Sequence, residues 1–255
     1  MKVIQWVAVS LVACVVVPVA NAVPKLQLDI AGGVYDPQDE TTFAPANAFT
    51  LYALNAGLPI SGNFYLSAAV TPMVAPANPP PNLGYFTLVV DRNADGVVDA
   101  GDAVHTVQVV GGMTYGVPPL ESLGGNQGFD AGDLSKHGIF ETYFAEFSFK
   151  FNANLKTQGY DVQKGTHPAL PTAGTPATMY YQPFLVDLSG LAPGYGIHFD
   201  LYSEVIKSGT DIDADKFAPF SHDAAGWRRI PDGGATAVLL GLGVLGIGIL
   251  ARNRI

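Results

Sequence analysis

Only one cysteine occurs in the 255 residues, Cys14, and it falls inside the apolar N-terminal stretch. Removal of that stretch leaves a body with no disulfide, no thiol nucleophile and no cysteine-ligated metal. Basic residues are scarce too, 13 Lys and Arg against 22 Asp and Glu. Three of the 13, Lys2, Arg252 and Arg254, sit at the ends, so residues 23–234 carry 10 basic and 22 acidic side chains, a formal charge of −12. Such a surface repels phosphate backbones and argues against a nucleic-acid partner, while it suits cations and solubility outside a cell. No sustained helical period of apolar residues runs between the termini. No Gly-x-Ser-x-Gly surrounds a serine of the body, so a nucleophile elbow is not expected.

What the sequence has in quantity is apolar residues at its two ends. Met1-Lys2 is followed by Val3 to Val19, interrupted only by Gln5, Ser10 and Pro18. Ala20-Asn21-Ala22 then supplies the small-x-small pattern of a signal-peptidase site, which predicts a signal peptide over 1–22 with cleavage after Ala22. Leu11-Val12-Ala13-Cys14 is similar to a lipobox, but the apolar run continues past the cysteine, so lipidation is the alternative and not the first reading. At the other end, Ile230-Pro231-Asp232-Gly233-Gly234 precedes an apolar run, Ala235 to Ala251, whose one polar side chain is Thr236. As a helix that run reaches roughly 25 Å, near the lower limit for a bilayer. Arg252 and Arg254 close it as a membrane stop that favours a cytoplasmic C-terminus. The organisation expected is therefore a signal peptide, an exported body over 23–229, and a tail over 230–255.

Motif, apolar helix and basic stop in that order resemble the PEP-CTERM sorting signals of exopolysaccharide-producing bacteria, in the VPDGG or VPDSG form with Ile230 in place of valine. The resemblance implies recognition by an exosortase, a membrane protease that cuts near the motif. Pro231 and the glycine pair fit that role physically, since they keep the segment extended and narrow. Several body segments, among them Leu26–Ile30, Phe49–Leu54, His137–Phe140, Gly196–Tyr202 and Phe217–Ala224, resemble the choice-of-anchor families, the N group in particular. That resemblance implies surface display and no known chemistry. The partners expected are signal peptidase, exosortase and, transiently, the inner membrane, with the cell surface or extracellular matrix as destination.

Within the body, Phe64–Leu66, Tyr85–Val90, Val104–Val110, Phe144–Phe151, Phe184–Leu188 and Ile197–Tyr202 are short runs rich in β-branched and aromatic residues, bounded by Gly, Pro, Asn and Asp. Phe147, Phe149 and Phe151 alternate with Ser148 and Lys150, the period of a strand with one buried face. The fold class expected is all-β, an antiparallel β-sandwich. The Pro-rich tract at 76–81 and the stretch 165–178 read as surface loops.

The most informative internal segment runs from Asp91 to Asp102. Asp91, Asn93, Asp95, Asp99 and Asp102 place oxygens at loop positions one, three, five, nine and twelve, Gly96 sits at six, and the Val97 carbonyl is free at seven. Calcium takes six to eight oxygens, and the glycine permits the sharp turn that converges them. The segment resembles the calcium loops of EF-hands and dockerins but is flanked by strands, so structural Ca2+ is the expected cofactor and cohesin binding is not carried over. Asp211, Asp213 and Asp215 lack such a glycine and read as a polar strand or turn. Ser221-His222-Asp223 holds the residue types of a hydrolase triad, but adjacent residues do not converge as one. His105, His137, His167, His198 and His222 are scattered without a close ligand pair, which argues against catalytic zinc. Glu141, Glu146 and Glu204 remain conceivable members of a glycosidase carboxylate pair. Tyr115, Tyr160, Tyr180, Tyr181 and Tyr195 would be the stacking platforms of a polysaccharide-binding module, the alternative to a non-catalytic surface protein.

Overall fold

The structure, a computed structural model, describes residues 23–91, 95, 97–99, 101–120, 133–165, 167–173, 177–208 and 211–229. The signal segment with Ala20 and Ala22, the loop residue Asn93, and the tail from Ile230 to Gly234 and on through Arg252 and Arg254 lie outside the described residues. Among the described residues no helix is long and apolar enough to cross a membrane. Their one named helical element is a 3-10 turn at Phe220–His222.

Alternating apolar and polar residues put one face of each long strand inward, and the strands gather into two sheets. The first runs β1 (Leu26–Ile30), β4 (Ala48–Asn55), β11 (Ala177–Asp187), β6 (Tyr85–Val90) and β7 (Ala103–Gln108), with β10 (Lys156–Gln158) beside β11. The second runs β2 (Val34–Asp36), β3 (Thr41–Phe43), β14 (Asp223–Trp227), β12 (Gly196–Ser208), β5 (Phe64–Thr71), β9 (Thr142–Phe149) and β8 (Thr114–Gly116), with β13 (Asp211–Phe217) beside β12. Pairing is antiparallel except between β3 and β14, which makes the second sheet mixed where a purely antiparallel sandwich was expected. Nearly the whole chain separates those two strands, so no short connection forces them antiparallel. The stretch 165–178, read as loop, gives its last two residues to β11.

Leu28, Leu51, Phe86 and Phe184 of the first sheet and Leu66, Phe147, Phe199 and Leu201 of the second share one apolar core. Phe49 meets Phe199 edge-on at 6.3 Å, and Phe149 meets Phe184 at 5.2 Å, so the sheets pack face to face. Pro183 interrupts β11 where its second neighbour changes from β10 to β6, a place where a missing donor costs little.

Each sheet is also covered on its outer face. Leu155 and Val162 pack on Tyr52, Leu54, Met179 and Tyr181 of the first sheet. Val117, Leu134 and Phe140 pack on Ala69, Phe144 and Tyr202 of the second. Burial of each large apolar side chain contributes about 1.5–3 kcal/mol, so these covers are part of the folded body and not loose loops. They leave the outer faces dry, and polar residues there need partners.

Candidate metal centre

Strand β12 alternates Ile197, Phe199 and Leu201 into the core with His198, Asp200 and Tyr202 on the outer face. The register then lays out a polar row across the sheet: Glu146 of β9 opposite Ser67 of β5, and Ser67 opposite Asp200. Pairing of Phe199 with Ala224 carries Asp223 alongside Asp200, and Asp223 itself pairs with Thr41. Above this row sits the turn Lys136–Ile139, closed by the Ile139 N–H donating to the Lys136 carbonyl at 2.8 Å. Both central residues take positive φ, 27° at His137 and 81° at Gly138. Glycine accepts that conformation freely, whereas a histidine there is held at some cost by its surroundings. Phe220 stacks on the His137 ring at 4.2 Å.

The result is a cluster of His137, His198, Asp200 and Asp223, the group among the described residues whose donor atoms converge closely enough to hold one metal ion. The two Nε2 atoms lie 3.3 Å apart. His137 Nε2 is 3.2 Å from Asp200 Oδ1 and 3.8 Å from Asp223 Oδ2, while His198 Nε2 is 3.6 Å and 3.5 Å from the same oxygens. Asp200 and Asp223 are 2% and 1% exposed. Asp200 Oδ1 and both carboxylate oxygens of Asp223 are buried without a hydrogen-bond partner. The two largely buried histidines line the wall of a cleft of about 370 Å³ with Asp39, Glu40, Phe43 and Trp227.

No family model matches the chain, and no curated protein and no solved structure matches it. The site is therefore read from its own chemistry.

Burial works against charge on His198, but the Asp200 and Asp223 carboxylates outweigh it and push the imidazole up to about 10. His137 is likewise raised by Asp200 against its own desolvation. Asp200 is desolvated as well, yet the two imidazoles hold it below the usual carboxylate range. Asp223 moves the other way: burial, reinforced by the Asp200 charge, pushes it up to about 7. With no ion, protons supply the positive charge that two buried carboxylates demand.

The structure thus overturns the reading of scattered histidines. His137 and His198 meet although 61 residues separate them. A partial signal was present, because His198 and Asp200 at i and i+2 of an alternating strand must share a face. The Asp223 and His137 contributions depend on tertiary pairing that no local pattern reports.

The other expected residues are placed as follows. Asp91 directly follows β6, and Asp95, Val97, Asp99 and Asp102 lie in the β6–β7 hairpin loop, so the expected flanking strands are present. Within the loop Asp95 Oδ1 accepts from the Val97 N–H, Asp99 Oδ1 from Gly101 and Asp102 Oδ2 from Asp99, each at 2.8 Å. Ser221 Oγ does meet His222 Nδ1 at 2.9 Å, but the third partner is Asp161, 3.2 Å from His222 Nε2, while Asp223 joins the His137–His198–Asp200 cluster. Gln163 also donates to the Ser221 carbonyl, so this relay fastens the 3-10 turn to the cover of the first sheet. Asp211, Asp213 and Asp215 lie on β13, where Asp213 pairs with Lys207 at 3.2 Å.

Glu146 lines a cleft with His105 and Phe147 and Glu204 one with Tyr65 and Ile206, and the Glu146 carboxylate lies near enough to Glu204 to push its pKa up. Glu141 pairs with Lys136 at 2.6 Å. None of the five tyrosines proposed as platforms is exposed: Tyr181 is buried and Tyr115, Tyr160, Tyr180 and Tyr195 are half-buried. Among the described residues, exposed aromatics include instead Tyr85, Phe217 and Trp227.

Proposed function

We propose that the chain is an exported β-sandwich protein, sorted to the cell surface or extracellular matrix through its C-terminal tail, that serves there as a structural or binding module and not as a catalyst. Signal peptidase removes residues 1–22, an exosortase processes the tail at Ile230–Gly234, and calcium closes the loop from Asp91 to Asp102. The observation that carries the non-catalytic reading is that reactive residue types are consumed by packing. The Ser221–His222–Asp161 relay ties a turn to a cover segment, and Ser221 does not line the cleft beside the His/Asp cluster. Sealed polar groups of this kind stabilise a fold without meeting substrate.

A polysaccharide-binding role is the second reading, and it now draws on other residues than the tyrosines. The exposed Trp227 shares its cleft with Asp39 and Glu40, an aromatic face beside hydroxyl-accepting carboxylates.

The test of the export reading is the intact mass of the protein recovered from its native host. The mature chain is expected to begin at Val23 and to lack Ala235–Ala251. Recovery of the uncut tail from cells with an active exosortase would refute the sorting route.

A further inference from the structure

The outer faces of the two sheets pose the same problem, a buried carboxylate beneath a cover, and the answers differ. Under the first cover, Asp29 is fully satisfied. Its Oδ1 accepts from the Ile30 N–H at 2.8 Å and meets His167 Nδ1 at 2.5 Å, and its Oδ2 accepts from the Tyr160 hydroxyl at 2.5 Å. Under the second cover, three carboxylate oxygens of Asp200 and Asp223 accept no hydrogen bond, and the two imidazoles stand off from Asp200 Oδ1 and Asp223 Oδ2 at ion-pair distances of 3.2 to 3.8 Å. Leaving such groups unmet costs about 1–3 kcal/mol each or more when charged, which a native fold rarely tolerates without a partner.

The donor spacings say what that partner is. Five separations among the four inward atoms, between the two imidazoles and from each imidazole to each carboxylate, run from 3.2 to 3.8 Å. In a regular tetrahedron with such edges the centre lies about 2.0–2.3 Å from every corner, which spans the zinc distances to imidazole nitrogen and carboxylate oxygen. An octahedral shell of magnesium at about 2.1 Å would draw neighbouring donors to about 3.0 Å, and calcium calls for six to eight oxygens at longer range. Two imidazoles with two carboxylates also suit zinc better than either hard cation. Two neutral histidines and two carboxylates carry a charge that a divalent ion cancels.

The outer shell is in place as well. The His137 Nδ1 lies 2.6 Å from the Ser135 carbonyl, which fixes its proton there and leaves the Nε2 lone pair turned inward. The second oxygen of Asp200 accepts from the Ser67 hydroxyl at 3.0 Å, so the first is the one presented to the cluster.

We propose that His137, His198, Asp200 and Asp223 bind one zinc-class divalent cation in a four-coordinate site that fastens the cover of the second sheet and strand β14 to strand β12. The role follows from where the ligands come from. His198 and Asp200 belong to the central strand, Asp223 begins the last described strand, and His137 comes from the cover. With four protein ligands the shell is closed, the pattern of structural zinc. The cleft against the two histidines gives the ion its way in.

The test is a cobalt titration of the full-length chain after removal of metal with a chelator. Cobalt(II) is expected to produce the strong visible absorption of a four-coordinate site, saturating at one equivalent and bleached by zinc. Millimolar calcium or magnesium should leave it unchanged. Zinc should raise the melting temperature and protect residues 133–140 from protease. His137→Ala, in a surface turn outside both sheets, and Asp223→Asn should each lose the absorption and weaken zinc binding by at least about a hundredfold. If Asp223→Asn does not fold, His137→Ala carries the comparison. Absent absorption, the pale spectrum of six-coordinate cobalt, displacement by calcium, or unchanged zinc affinity in His137→Ala would each overturn the assignment.

Discussion

Glu204 gives the clearest handle on how the outer face of the second sheet stores electrostatic cost. It lies on β12 beyond Tyr202, half-buried, lining a cleft of about 750 Å³ with Tyr65. Burial and then the Glu146 carboxylate push it up from 4.5 to about 7, with the Tyr65 hydroxyl acting in the opposite direction. Because the folded chain holds this proton more tightly than the unfolded chain, its contribution is fully present below about pH 4.5 and is lost as pH rises through about 7. The full gap between the two states would correspond to about 3 kcal/mol at pH 8. Solvent screening at a half-exposed side chain reduces that to about 1–2 kcal/mol. Glu204→Gln keeps the shape and an acceptor for Tyr65 while it removes the charge. The variant should therefore melt about 2–8 °C above the parent at pH 8 and level with it at pH 4. The assay is a pair of thermal melts at matched ionic strength, read as the difference between variant and parent, so that groups common to both cancel. A difference independent of pH, or a variant less stable at pH 8, would refute the reasoning.

Two further outcomes follow from the cover and the hairpin. Asp29→Ala strips His167, Tyr160 and the Ile30 N–H of one acceptor, at about 1–3 kcal/mol for each group left unmet; limited proteolysis should accelerate within residues 151–173, and an unchanged cutting rate would count against the clasp. In the zinc-loaded chain, calcium at a hundredfold excess over its dissociation constant should add about 2.7 kcal/mol through the loop from Asp91 to Asp102; Asp95→Ala should abolish that gain, and equal melting with and without calcium would show the loop to be a plain acidic turn.

How much was legible in the sequence depended on distance along the chain. Phe147 and Phe149 point inward as their alternation with Ser148 requires, and Phe151 stays buried just past the end of β9. Tyr85–Val90 was readable to the residue, because β-branched density and turn chemistry are local. The parallel contact of β3 with β14 was not readable, since it joins residues about 180 apart through a register that no local pattern encodes. The site failed for the same reason. Alternation alone places His198 beside Asp200, but Asp223 reaches them through the β12–β14 register and His137 through a turn with positive φ. Read in sequence, Asp223 looked like the third member of a Ser-His-Asp string, whereas the strand it opens points it to the opposite partner from His222.

The two clasps explain how a body without cysteine can hold long excursions over both of its sheets. Small exported domains commonly fasten such segments with disulfides. Here each cover instead places a histidine over buried aspartate, His167 over Asp29 and His137 over Asp200 and Asp223. The first clasp closes on its own, because a tyrosine, a backbone N–H and an imidazole supply donors to both oxygens of a single carboxylate. A second carboxylate at the other site doubles the negative charge without adding donors, so hydrogen bonding alone leaves oxygens orphaned there. The difference is one of stoichiometry: one aspartate can be satisfied by neighbours, while two facing aspartates under a dry cover need a cation. The first cover is accordingly expected to hold in any buffer, and the second to loosen when divalent transition metal is withdrawn.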